Sequence, residues 1–123
     1  MRRTLVYLLL FLTLPGCGSS LLSVEGKVTL NGVPVQQGEI RFIPSGGDKA
    51  PSAAAIIAEG HYKVEVAPGT KRIEILGYKV VGQRNIGTMV DIKEQIVPER
   101  YNTRSELTCT IESADETHDF ELQ

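Results

Sequence analysis

The chain has no tryptophan, and only three Phe and four Tyr among its 123 residues. Sugar-binding sites are usually built on exposed aromatics, so that stock is short, and the Trp between paired cysteines that marks an immunoglobulin domain is missing. Two cysteines are too few for a disulfide framework; one 17–109 bridge is the only pairing arithmetic allows. There is no basic excess: 13 Lys and Arg stand against 15 Asp and Glu, for a net charge of −2. Two of those basic residues, Arg2 and Arg3, stand at the start, and losing both takes −2 to −4. A nucleic-acid partner is therefore not expected, because counterion displacement needs a basic face. No apolar run approaches the roughly twenty residues that span a bilayer as a helix.

What is present begins with "MRRT", a basic start, followed by "LVYLLLFLTL" over 5–14. Ten apolar residues match the core of a secretory signal peptide. "PGCG" follows, and Leu14, Gly16 and Cys17 together resemble the lipobox of bacterial lipoproteins. The resemblance implies a signal peptide over 1–16, cleavage before Cys17, and a diacylglycerol on the Cys17 sulfur, with palmitate a natural label. Two or three acyl chains hold a protein to a bilayer far better than one, at about 0.8 kcal/mol per buried CH₂. Pro15 departs from the pattern, which usually has Ala, Ser, Thr or Val there. Gly18, which is not Asp, suggests forwarding to the outer membrane, on its periplasmic or surface face. Residues 17–22 then form a tether, and 23–123 the domain.

Along that domain, apolar residues alternate with polar ones between turn signals, the period of half-buried strands. "SVEGKVTLN" places Val24, Gly26, Val28 and Leu30 on one face, and "NGVP" is a turn. "GEIRFIP" places Ile40 and Phe42 inward, "HYKVEV" does so for Tyr62, Val64 and Val66, and "KRIEILGYKVV" for Ile73, Ile75 and Gly77. "AAAIIA", six residues between Pro51 and Gly60, reads as a strand although its propensity is helical. In "SELTCTI" the alternation puts Leu107, Cys109 and Ile111 on one face, which makes Cys109 a core residue, in keeping with the burial habit of free cysteine. "THDFELQ" is the last strand. The region 82–97 is less regular, and "MVDIKEQIV" fits an edge strand or an extended crossover. The expected fold is all-β: an antiparallel two-sheet sandwich of about seven strands.

"VEGKVTLNGVPVQQGEIRFIP" and "EGHYKVEVAPGTKRIEI" resemble the signature segments of carboxypeptidase-regulatory-like domains. "PERYN", "SELTCTI" and "HDFELQ" resemble the C-terminal half of small bacterial lipoproteins that carry such a domain. The likeness covers nearly all of 23–123. It implies a transthyretin-like (prealbumin-like) sandwich, which in metallocarboxypeptidases is an accessory without the catalytic zinc. Hydroxyisourate hydrolases share that fold but end in Tyr-Arg-Gly-Ser, whereas this chain ends "DFELQ".

The residues themselves point to no catalytic, cofactor or metal site. His61 and His118 lack the spacing of a zinc motif, and His118 and Asp119, as neighbours on a strand, point to opposite faces. No nucleophile elbow or phosphate loop is present; "SGGDK" has the wrong spacing for one. One segment is unusual: in "PERYNTR", Arg100, Tyr101, Asn102 and Arg104 can form a contact patch, since Tyr and Arg are favoured at binding hot spots. Turn chemistry favours another role, a corner in which Pro98 stiffens the entry, Tyr101 packs under the sheet and Asn102 closes a turn. The expectation is a lipid-anchored, non-catalytic envelope protein with a structural, adhesion or accessory role, its partners the membrane and an envelope protein or polysaccharide. A polysaccharide- or peptide-binding module is the alternative, and a hydrolase comes last.

Overall fold

The computed structural model describes residues 21–47 and 49–123. The signal peptide over 1–16, Cys17 and most of the 17–22 tether lie outside the described residues. Leu22 is already in the first strand, one residue earlier than the expected domain start.

Among the described residues ten strands form in chain order: β1 (Leu22–Leu30), β2 (Val33–Pro34), β3 (Gln37–Pro44), β4 (Ala53–Ala58), β5 (His61–Val66), β6 (Gly69–Asn85), β7 (Met89–Gln95), β8 (Thr108–Ile111), β9 (Glu116–Thr117) and β10 (Phe120–Leu122). A 3₁₀ turn occupies Glu99–Tyr101, and no α-helix occurs among the described residues. The strands follow the period-2 pattern: in β5, Tyr62, Val64 and Val66 are buried and His61, Lys63 and Glu65 exposed. The 53–58 run is a strand because its flanking turns leave no length for a helix. Asn31 (φ 51°) and Gly32 (φ 81°) turn β1 into β2, in the left-handed conformations a tight Asn-Gly hairpin needs.

Hydrogen bonding joins the strands into one curled, mainly antiparallel sheet in the order β10-β1-β5-β4-β3-β6-β7, with β2 and β9 added to β1 and β8 to β6. Only β9 and β10 run parallel to their partner, β1. The core lies inside the curl, where Val24, Tyr62, Val64 and Val66 meet Ile40, Phe42, Ile57, Ile73 and Ile75. The Phe42 and Tyr62 rings lie 6.0 Å apart and tie β3 to β5 across it. Fully burying a side chain of the size of Phe42 contributes about 1.5–3 kcal/mol.

One expectation is corrected here, and one open alternative is decided. Among the described residues the strand count is ten, not about seven: β2 and β9 are two-residue pairings with no alternation to read, while the last strand expected over 117–123 is present as β10. Of the two readings of "MVDIKEQIV", the edge strand is the one observed: β6 runs on to Asn85, and β7 returns beside it from Met89 to Gln95 at the end of the sheet.

Candidate functional site

The segment after β7 closes one edge of β6. On one side, β6 pairs with β3 over Lys71–Tyr78. On the other it pairs with β8 over Gly69–Arg72 and with β7 from Tyr78 onward, which leaves 73–77 without a strand. Residues 95–107 fill that gap mostly with side chains. Gln95 Oε1 accepts from the Gly77 amide at 2.9 Å, the Ile96 amide donates to Gly77 O at 2.9 Å, and Asn102 Nδ2 donates to Ile75 O at 3.2 Å. Ser105 Oγ donates to Ile73 O, and the Ile73 amide donates to Leu107 O at 2.8 Å. Asn102 also donates to Val97 O and Pro98 O, while its Oδ1 accepts from the Thr103 amide.

Of the possible contact patch of Arg100, Tyr101, Asn102 and Arg104, this removes Asn102, while Arg100, Tyr101 and Arg104 line one shallow depression. Asn102 is 5% exposed and faces the sheet, so it offers nothing to a partner. Tyr101 is half-buried against the core; its hydroxyl donates to Gln123 O at 3.1 Å and accepts from the Gln123 amide at 3.0 Å. The bond accepted from the Gln123 amide, with the Arg100 guanidinium 5.0 Å above the ring, holds the phenol below its usual pKa. Arg100 and Arg104 remain exposed, with Arg104 3.7 Å from Glu99. The corner role fits better, Asn102 bonding across to β6 as well as within its own turn. Tyr78 and Tyr101 are both half-buried and line different depressions, so they make no shared aromatic platform.

Where β4 leaves β5 an open groove of about 660 Å³ forms, lined by Glu25, Lys27, Ile56, His61, Lys63 and Asp119 among others. His61 is exposed on it, and its imidazole makes no hydrogen bond among the described residues. Asp119 Oδ1 accepts from the Lys27 amide at 2.8 Å, a structural use of that carboxylate. The other histidine has a partner that the sequence reading missed. His118 Nε2 lies 2.7 Å from Glu116 Oε2. Positions two apart share a face of an extended chain, so the i, i+2 spacing carried that signal. The pair lies outside the groove, and Glu116 Oε1 is taken up by the amides of Glu112 and Ser113 and the Ser113 hydroxyl. Cys109 is half-buried, and burial pushes its thiol up to about 11, far from a reactive thiolate.

Glu116 therefore acts as a clasp on the 112–116 turn. The His118 bond, then the two amides, lowers its pKa from 4.5 to about 2. A depressed carboxylate stabilises the fold above its unfolded pKa, and that contribution fades as pH falls from about 4.5 through about 2. The Ser113 amide resonance is expected to titrate with a midpoint near the lower value, and Glu116→Gln to abolish the transition.

Among the described residues, most of the exposed large hydrophobics fall on the β6–β7 hairpin or just after it. Beyond Tyr78, β6 has lost β3 and keeps only β7, so 79–95 projects as a two-stranded arm. Val81 is 51% exposed, Ile86 63% and Met89 57%, with Val80, Ile92 and Ile96 also open. The sequence showed these residues but not that β3 stops short of them.

No family model matches the chain, and no curated protein matches it. Among solved structures it is similar to a 9R-lipoxygenase from Cyanothece PCC8801, with 12% identity and a TM-score of 0.40. That match covers 85% of this chain and 16% of the lipoxygenase, and at such a score it carries no inference about activity.

Proposed function

We propose that this chain is a non-catalytic interaction module of the cell envelope, held to a membrane by acyl chains on Cys17. The observation that carries the interaction role is the β6–β7 arm. A two-stranded ribbon is marginal in water by itself, and three or more strands or a packed face are needed for independent stability. This one also exposes Val80, Val81, Ile86 and Met89 to solvent. Such a feature is made for a partner. The side chains of Gln95, Asn102, Ser105 and Glu116 serve backbone groups of the fold itself.

The fold is read as a transthyretin-like sandwich of the carboxypeptidase-regulatory kind. Support for that reading comes from the β4–β5 ladder, whose single rung, Ala58–His61, is where the curled sheet would divide into two layers. The anchor rests on the order of basic start, apolar run and Gly16-Cys17, and outer-membrane placement rests on Gly18.

The test uses the full chain in bacterial cells, with Val81 replaced by a photo-crosslinking amino acid. Membrane fractionation and palmitate labelling are expected to follow Cys17, with Cys17→Ser releasing the chain and abolishing the label. Illumination is expected to give a covalent adduct from the arm. Unchanged retention and label in the Ser variant overturn the anchor; absence of any adduct overturns the interaction role.

A further inference from the structure

We propose that the partner of the arm is a second copy of this chain, joined edge to edge through β7 in antiparallel register about a two-fold axis at Ile92. The inference rests on reading the arm as a contact surface; it does not depend on the anchor.

β7 is the last strand of the sheet, and its outer side is unpaired among the described residues. An open edge is a template for another strand, and proteins that keep edges apart blunt them with proline, a bulge or charge of one kind. This edge has no proline, and the bulge in the hairpin lies on the β6 side, between Val80 and Gly82. Its charges are of both signs and arranged about a centre. The strand reads Met89-Val90-Asp91-Ile92-Lys93-Glu94-Gln95. With a two-fold axis at Ile92, each Asp91 falls opposite the other copy's Lys93, and Ile92 meets its own counterpart. An axis one residue earlier sets Asp91 against Asp91, and one residue later sets Lys93 against Lys93. Opposite charges directly across a ladder stabilise it and like charges destabilise it, so a single register is favoured. The contact is isologous, the kind that closes as a dimer and does not propagate. It also gives each ribbon further strands, so the two arms become one four-stranded sheet.

The test is register-specific crosslinking of the full chain in the bacterial envelope. Residues directly opposite in an antiparallel pair have Cα atoms about 4.5–5.5 Å apart, within disulfide reach. Ile92→Cys is expected to form, on mild oxidation, a disulfide product of twice the chain mass. Glu25→Cys, exposed on β1 away from the arm, is the background. Adding Asp91→Lys places two Lys-Lys pairs across the ladder and is expected to cut the product about tenfold. Adding Lys93→Asp as well restores the opposite-charge pairs and the product with them. That rescue separates pairing from damage to the hairpin, where Asp91 also accepts from Gln83 at 3.1 Å. A product no greater than the Glu25→Cys background overturns the proposal, as does one of a different mass or one indifferent to the charge swaps. If the Val81 photo-crosslinker still yields an adduct of another mass, self-pairing fails and the contact role stands. If it yields none, both fail.

Discussion

Asn102→Ala is expected to lower the free energy of unfolding by about 2–4 kcal/mol, far more than a substitution in an exposed turn. The reason is where its amide goes. Nδ2 serves Ile75 O, Val97 O and Pro98 O, and Ile75 and Val97 are buried, so water cannot replace the lost donor. A buried carbonyl left unpaired costs about 1–3 kcal/mol, and two are stranded here. For a domain of about one hundred residues that lowers the thermal midpoint by roughly 10–20 °C. Arg100→Ala, two residues away and exposed, is expected to stay within about 0.5 kcal/mol. Asn102→Asp sharpens the test. A carboxylate sets acceptors against three carbonyl oxygens, two of which have lost their donor, so at neutral pH it is expected to be worse than Ala. Those carbonyl dipoles raise its folded pKa above the unfolded one, so the Asp variant recovers stability as pH falls, because the protonated acid can donate. Thermal unfolding of the four chains against pH checks the order. Equal midpoints for Asn102→Ala and Arg100→Ala would return Asn102 to the surface.

That residue marks the line between what the sequence holds locally and what it does not. Alternation is a local signal, and it placed β1, β3, β5 and the start of β6 with their inward faces, Phe42, Tyr62 and Ile75 among them. Turn chemistry is local too, so Pro98 and Asn102 were legible as a bend. That Asn102 bonds to Ile75, 27 residues earlier, is a matter of topology. No pattern within 98–104 says which carbonyl of β6 lacks a strand. The same limit hid the arm. The segment 79–85 drops the alternation, and nothing within it tells a strand with one neighbour from a loop; it is bare because the ladder with β3 stops at the Gln37–Tyr78 pair. By contrast the Glu116–His118 pair was within reach of the local rule, since residues two apart on a strand lie on the same side. The parallel return of β9 and β10 along β1 was not, because two- and three-residue ladders carry no period.

The parallel return is also where the second large effect is expected. Gly26→Ala should cost about 3–5 kcal/mol, although it adds one methyl group to a strand that otherwise tolerates side chains. Between β9 and β10 the returning chain breaks its ladder with β1. The His118 amide still donates to Glu25 O at 3.0 Å, and Asp119 takes the Lys27 amide with its side chain. The His118 carbonyl turns in over Gly26 and accepts from the Tyr62 hydroxyl. A Cβ on Gly26 falls 1.9 Å from that oxygen, far inside contact distance and against backbone. The carbonyl must move, and the buried Tyr62 hydroxyl then loses its partner. Overpacking costs about 1–3 kcal/mol and the stranded hydroxyl about as much again. The two terms can be separated with Tyr62→Phe, which removes the hydrogen bond without crowding and should cost about 1–2 kcal/mol in the native background. In the Gly26→Ala background the bond is already broken, so Tyr62→Phe should add little, and the double variant should be less destabilised than the sum of the singles. Full additivity in chemical unfolding would mean that the Tyr62 bond survives the methyl group. The close approach of His118 to β1 would then not be what requires glycine at position 26.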